Sequence, residues 1–167
     1  MSLFPVPDLM APDIYAVEPR ELRARGVRFL LLDIDNTIAP YTVHAASERM
    51  KDWVCGMRAA GLELFILSNN RGTRPETFAA AFGLPYRKKA WKPFPKIARA
   101  VMAERGYSPA ETAFLGDQIY TDVCCAKWCG ALAVLVRPIE LKRILLRIRY
   151  WLEAPFRLAY QIKKRRK

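Results

Sequence analysis

The sequence predicts a doubly wound α/β domain, a parallel sheet with helices on both faces, and three observations carry that prediction. Short apolar runs of strand length alternate with segments whose apolar residues recur at helical spacing. The runs carry little polar interruption, as expected where both faces of a strand are covered. Acidic and polar residues gather directly after the runs, where open α/β sheets bind ligands.

The elements follow in chain order. Pro5, Pro7, Pro12 and Pro19 keep the first 25 residues extended or turning. Leu3, Phe4, Val6, Leu9, Met10, Ile14 and Tyr15 make this segment too apolar for a free tail, so it is expected to pack on the domain or on a partner. RFLLLDI (28–34) reads as the first strand. Met50, Trp53, Val54 and Met57 recur as a helix that Gly61 ends. LELFILS (62–68) is the next strand, and Pro75 fits the first turn of a helix through Phe82, closed by Gly83. After a short extended piece around Tyr86, Pro93 opens a helix to Arg105, closed by Gly106. TAFLGD (112–117) is a strand, Thr121–Cys129 a helix, and ALAVLV (131–136) the last strand. The expected division is an N-terminal segment (1–25), an α/β domain (26–138) and a C-terminal extension (139–167).

Composition narrows the class. The chain of 167 residues is 52% hydrophobic and 26% charged, which excludes general disorder. No uninterrupted apolar run approaches the ~18–20 residues of a membrane-spanning helix. The first residues lack the pattern of a secretion signal, so a cytoplasmic protein is expected. Cys124 and Cys125 are adjacent and Cys129 shares their helix, while Cys55 sits in another. No pair of C-x-x-C motifs or downstream His residues completes a zinc site, so reduced, space-filling cysteines are expected.

Four polar segments fall at the strand and helix ends. They are Asp33-Ile34-Asp35-Asn36-Thr37, Ser68-Asn69-Asn70, Lys92-Pro93, and Gly116-Asp117 with Asp122 one turn on. Singly, each reads as a turn, cap or surface charge. Together the fold brings them to one rim, where carboxylates repel unless a cation sits between them. Oxygen ligands without His or Cys favour Mg²⁺, and carboxylates, lysine and serine together suit a phosphoryl group. His44, Trp53 and Met57 read as structural: a cap or surface residue and two core residues.

At these residues the sequence resembles the haloacid dehalogenase-like (HAD) phosphatases. Their ordered motifs read here as DIDNT, LSNN, KP and GDQIYTD, within a match from Arg28 to about Arg137. The resemblance implies a Rossmann-like HAD fold and a role for each residue. Asp33 is the nucleophile, forming an aspartyl-phosphate, and Asp35 the general acid and base. Asp33, the Asp35 backbone carbonyl and Asp117 hold Mg²⁺. Ser68 and Lys92 bind phosphoryl oxygens with Asn69 assisting, while Asp122 and Thr37 support them. The 35 positions from Asp33 to Ser68 and the 24 from Ser68 to Lys92 leave no room for a substrate-selecting cap domain, so the domain is expected to be capless.

The C-terminus carries the remaining signal. Residues 140–167 hold ten Lys/Arg against two acids, a net +8 of the total +12. Leu141, Ile144, Leu145, Ile148, Trp151 and Leu152 fall at helical spacing. Pro155 interrupts, and Phe156, Leu158, Tyr160 and Ile162 continue toward Lys163-Lys164-Arg165-Arg166-Lys167. A basic amphipathic helix with aromatics suits the surface of an anionic phospholipid membrane. The alternative is a helix that packs its stripe on the sheet, followed by a solvated tail. The proline-rich N-terminal segment, D-x-D-N-T, S-N-N and G-D-Q-x-x-T-D further resemble the YqeG-like branch of HAD subfamily IIIA, whose mitochondrial relatives are phosphatidylglycerophosphate phosphatases. That resemblance implies a peripheral enzyme at the inner face of a membrane, releasing phosphate from phosphatidylglycerophosphate. Two alternatives stay open: a capless phosphatase for nucleic-acid ends or a soluble metabolite, and a non-catalytic HAD-like binding module.

Overall fold

The computed structural model describes residues 5–142 and 144–165. Leu3, Phe4, Arg166 and Lys167, on which the sequence reading draws, lie outside the described residues. Six strands form one sheet in the order β1-β6-β5-β2-β3-β4, every pairing parallel. They are β1 (Leu9–Ala11), β2 (Phe29–Leu32), β3 (Glu63–Leu67), β4 (Tyr86–Arg87), β5 (Thr112–Gly116) and β6 (Leu132–Val136).

Side-chain alternation along the central strands divides the core into two layers. Leu30, Leu32, Leu64 and Ile66 face one way. They meet Leu22 of α1 (Pro19–Ala24), Met50, Val54 and Met57 of α2 (Glu48–Ala59), and Phe78 and Phe82 of α3 (Arg74–Phe82). Phe29, Leu31, Phe65 and Leu67 face the other way. There they pack on Ala98, Val101 and Met102 of α4 (Lys96–Glu104) and on Cys125, Ala126 and Cys129 of α5 (Cys124–Cys129). Helices thus cover both faces, the doubly wound arrangement expected. Trp53 packs partly buried against the first layer, and the four cysteines are unpaired.

The helix ends follow their residues. Ser47 accepts the Met50 N–H to cap α2, and Gly83 closes α3 in the left-handed conformation at φ 61°. Three elements depart from expectation. The N-terminal segment contributes a sheet strand, β1, paired to β6, and Pro19 starts α1 rather than a turn, since proline is tolerated in a first helical turn. Asp8 ties this strand in, its carboxylate accepting the Ala133 N–H at 2.8 Å. The helix expected from Pro93 begins at Lys96, because Pro95 disfavours helical backbone at Phe94 before it. The helix expected from Thr121 is instead a widened π-turn, Ile119–Val123, that becomes α5 only at Cys124.

After β6, α6 (Ile144–Leu152) and α7 (Ala154–Arg165) meet at Glu153, which is almost fully buried. The apolar stripe of α6 does not pack on the sheet: Ile144 is 63% exposed, Leu145 75% and Trp151 74%. No helix among the described residues is long and apolar enough to cross a membrane.

Candidate active site

Strand order decides which motifs meet. β2 lies between β3 and β5, so its carboxyl end carries Asp33 beside the ends that lead into Ser68 and Asp117. Asp33 N–H donates to the Leu115 carbonyl at 2.9 Å, extending the ladder one residue past β2. Lys92 arrives from the loop after β4, where its backbone N–H donates to Asn69 Oδ1 at 2.8 Å and its carbonyl accepts from Asn69 Nδ2 at 2.9 Å. The Asn69 carboxamide is therefore engaged with the Lys92 backbone.

A buried ionic cluster results. Lys92 Nζ donates to Asp33 Oδ1 at 2.7 Å and to Asp122 Oδ1 at 2.6 Å. Thr37 Oγ1 lies 3.2 Å from Asp117 Oδ1 and 3.5 Å from Asp33 Oδ2. One oxygen from each of Asp33, Asp117 and Asp122 lies within 4.8 Å of the others. Three carboxylates face one lysine, so the cluster carries excess negative charge in a low-dielectric setting. Burial pushes Asp33 up to about 7, with Lys92 opposing and Asp122 and Asp35 reinforcing the rise. Asp117 is raised well above the usual carboxylate range by burial and by Asp122 and Asp33. Burial alone would lower Lys92, but Asp122 and Asp33 more than offset it.

Asp117 Oδ2 is buried and has no hydrogen-bond partner among the described residues. An orphaned carboxylate oxygen within an all-oxygen donor set fits a hard divalent cation, which would supply its missing partner and neutralise the excess charge.

Gly116 makes the cluster possible. A Cβ there would stand 2.2 Å from Asp122 Cγ, so only glycine lets the Asp122 carboxylate lie against the end of β5. Asp122 Oδ2 in turn accepts the Gln118 N–H at 3.2 Å. The π-turn is held from outside as well: the Glu153 carboxylate accepts the N–H groups of Ile119 and Tyr120 at 2.9 and 3.2 Å. Asn36, left-handed at φ 65°, donates through Nδ2 to the Glu140 carbonyl and accepts the Glu140 N–H, both at 2.8 Å. The C-terminal extension is thereby fastened to two of the four motif segments.

Asp35 lies beside the cluster but makes its own set of contacts. Its Oδ1 accepts from Arg74 Nε at 2.6 Å and its Oδ2 from Asn70 Nδ2 at 2.9 Å. Ser68 Oγ is buried and accepts the Asn70 N–H at 3.1 Å. Arg74, itself buried, donates also to the carbonyls of Ala39, Pro40 and Val43, which fixes the loop after β2 against α3. Tyr41 belongs to that loop and feels the charges of the cluster. Burial and the charges of Asp117, Asp35 and Asp33 push its hydroxyl up to about 12, against the opposing Arg149 of α6. Arg74, Tyr41, Arg149 and Glu153 were not anticipated. In the sequence Arg74 reads as a surface residue of a first helical turn, and nothing local to Glu153 marks it as a partner of residues more than thirty positions away.

Comparison with known proteins places the chain. A family model described as mitochondrial PGP phosphatase matches residues 2–139. The chain belongs to this family. The probable phosphatase YqeG of Bacillus subtilis is 29% identical over 139 residues, covering 83% of this chain and 81% of the relative. The chloroplastic phosphatidylglycerophosphate phosphatase 1 of Chlamydomonas reinhardtii is 29% identical over 143 residues, covering 80% of this chain and 53% of the relative. Among solved structures, a HAD family hydrolase of Streptomyces avermitilis aligns with TM-score 0.55 at 19% identity over 75% of this chain and 74% of its own. A cobalt-bound deoxy-D-mannose-octulosonate 8-phosphate phosphatase of Haemophilus influenzae aligns with TM-score 0.53 at 13% identity over 66% of this chain and 68% of its own. These structures share the fold. As a member of the family, the chain is a phosphatase of the HAD type, and the non-catalytic alternative is set aside.

Proposed function

We propose that this chain is a Mg²⁺-dependent phosphomonoesterase that acts through an aspartyl-phosphate on Asp33 and removes the terminal phosphate of phosphatidylglycerophosphate at an anionic membrane surface. The observation that carries the reaction type is the buried cluster of Asp33, Asp117, Asp122 and Lys92 with its orphaned Asp117 oxygen.

Asp33 attacks phosphorus through a carboxylate oxygen as the ester P–O bond breaks, and Asp35 delivers its proton to the departing alkoxide. Asp35 then takes a proton from water, whose oxygen attacks phosphorus and breaks the bond to Asp33, releasing inorganic phosphate. Lys92 and Ser68 balance and orient the phosphoryl oxygens, Asp122 holds Lys92 in place, and Thr37 holds Asp33 toward Asp117. Mg²⁺, held by Asp33, Asp117 and the Asp35 backbone carbonyl, supplies neutralising charge for the phosphoryl group when bound.

Three features support the lipid substrate: the family, the short spans after β2 and β3 with one helix each, and the exposed apolar stripe of α6 beside α7 with its terminal Lys163, Lys164 and Arg165. Exposed Trp, Leu and Ile with interleaved Arg suit a lipid interface, where each basic residue contributes about 1 kcal/mol before screening. The same features point to peripheral attachment at the cytoplasmic face. The test is phosphate release from phosphatidylglycerophosphate in mixed micelles, against soluble sugar and nucleotide phosphates. Magnesium-dependent turnover with lipid preference, abolished by Asp33→Asn, is expected. Turnover unchanged in Asp33→Asn sinks the mechanism, and preference for a soluble phosphate sinks the substrate.

A further inference from the structure

The C-terminal helices do more than expose an apolar stripe: they wall two neighbouring cavities, one of which reaches Asp117. The first, about 100 Å³, is bounded by Asp117, Arg137, Tyr150 and Arg157. The second, about 320 Å³ and mostly apolar, shares Tyr150 and Arg157 with the first and is lined further by Leu141, Arg147, Trp151 and Ala154. Arg149 approaches from the same helix, its guanidinium donating to Gln118 Oε1 one residue from Asp117. Its charge also acts on Tyr41 of the loop after β2. Arg157 lies over the Tyr150 ring at 3.6 Å and pairs with buried Glu153 at 3.5 Å. Among the described residues neither Arg137 nor Arg149 is within ion-pair distance of a carboxylate, although the charge of Arg149 acts on Glu153. Two arginine side chains outside any direct ion pair thus stand beside the acidic centre.

We propose that Arg137, Arg149 and the Tyr150–Arg157 pair form a subsite for a second phosphate on the leaving group, the phosphodiester of a glycerophospholipid, with the adjoining apolar cavity taking the first acyl methylenes. This rests on the phosphatase reading above and specifies how one end of its substrate is held. The chemistry fits in sequence: the phosphomonoester sits at the acidic cluster, an anion follows at the arginines, and hydrocarbon follows at Leu141 and Trp151. Arginine suits that middle position because its planar donors match phosphate oxygens in pairs. A free second phosphate would satisfy the arginines equally, whereas only a lipid would also fill the apolar cavity.

The discriminating measurement is inhibition of aryl-phosphate hydrolysis by product-like ligands that carry the diester without the monoester. Dihexanoyl phosphatidylglycerol supplies both anion and chains, and glycerophosphoglycerol the anion alone. Both are expected to inhibit the wild-type protein, the lipid more strongly. Arg149→Ala and Arg137→Ala should each raise the inhibition constant about tenfold, relative to any change in the KM for aryl phosphate, with Arg149→Lys recovering part. Trp151→Ala should weaken the lipid alone. Inhibition constants that do not move, or that move only in step with the aryl-phosphate KM, overturn the subsite. Because this readout uses an aryl phosphate, it stands even if phosphatidylglycerophosphate proves a poor substrate, and that separate failure would touch only the substrate assignment.

Discussion

Removing the divalent ion should make the protein less stable as pH rises, a reversal of the usual carboxylate behaviour. Asp33 ionises near 3.8 in an ordinary setting but at about 7 in the folded chain, mainly through burial. At about 1.36 kcal/mol per pKa unit, holding Asp33 ionised above pH 7 costs the folded state about 4 kcal/mol. The unfolded chain gives up this proton first. The contribution of Asp33 is therefore fully present below about pH 4 and is lost as pH rises through about 7. Asp117, raised in the same direction, adds to the loss. A bound cation replaces the missing positive charge; at a hundred times its Kd it contributes about 2.7 kcal/mol, or about 5–10 °C in Tm for a chain of this size. The assay is thermal melting at about pH 5 and about pH 8, in EDTA and in magnesium, for wild type and Asp33→Asn. In EDTA the wild-type Tm should fall between the two pH values and magnesium should restore it. Asp33→Asn, lacking the costly charge, should melt higher than wild type in EDTA at the upper pH and respond little to magnesium. A wild-type Tm that stays flat or rises in EDTA, or a full magnesium shift in the variant, refutes the reasoning.

Two further substitutions probe how the cluster is held. Gly116→Ala places a methyl 2.2 Å from Asp122 Cγ and must dislodge the partner of Lys92, so urea denaturation should show a loss of about 1–3 kcal/mol with a parallel fall in phosphatase turnover. A wild-type midpoint and rate would mean that Asp122 need not lie against β5. Arg74→Ala strips a largely buried Asp35 of its cationic partner and three carbonyls of a donor, at a cost of about 3–5 kcal/mol, while Arg74→Lys should lie between. Equal denaturation midpoints for all three proteins would show that the Arg74–Asp35 contact does not hold this wall of the site.

The short-range sequence already contains the frame of the site. Each motif directly follows or precedes an apolar run, and a parallel sheet must send the carboxyl ends of those runs to one edge. Asp33, Ser68 and Asp117 could therefore be assigned to a shared rim from patterning alone, and Lys92 and Asp122 follow in the segments that lead from that rim into the next helices. The turn chemistry at Pro93 and Thr121 was less legible, because a following proline in one case and a distant carboxylate in the other reset the local backbone. β1 is three residues flanked by prolines, too short to carry a period, and its identity comes from a ladder partner more than a hundred positions away.

Fold class and the shared acidic rim are legible in the linear order of residues, because both depend on local periodicity and on residues adjacent to strand ends. The reaction family follows from the resemblance that four ordered motifs carry. Only the tertiary structure decided that Arg74 grips Asp35, that Glu153 clamps the turn between Asp117 and Asp122, and that the α6 stripe faces outward beside the site. Those facts depend on which side chains reach one another across the folded chain, and long polar side chains such as Arg and Glu carry no periodic mark of where they will end.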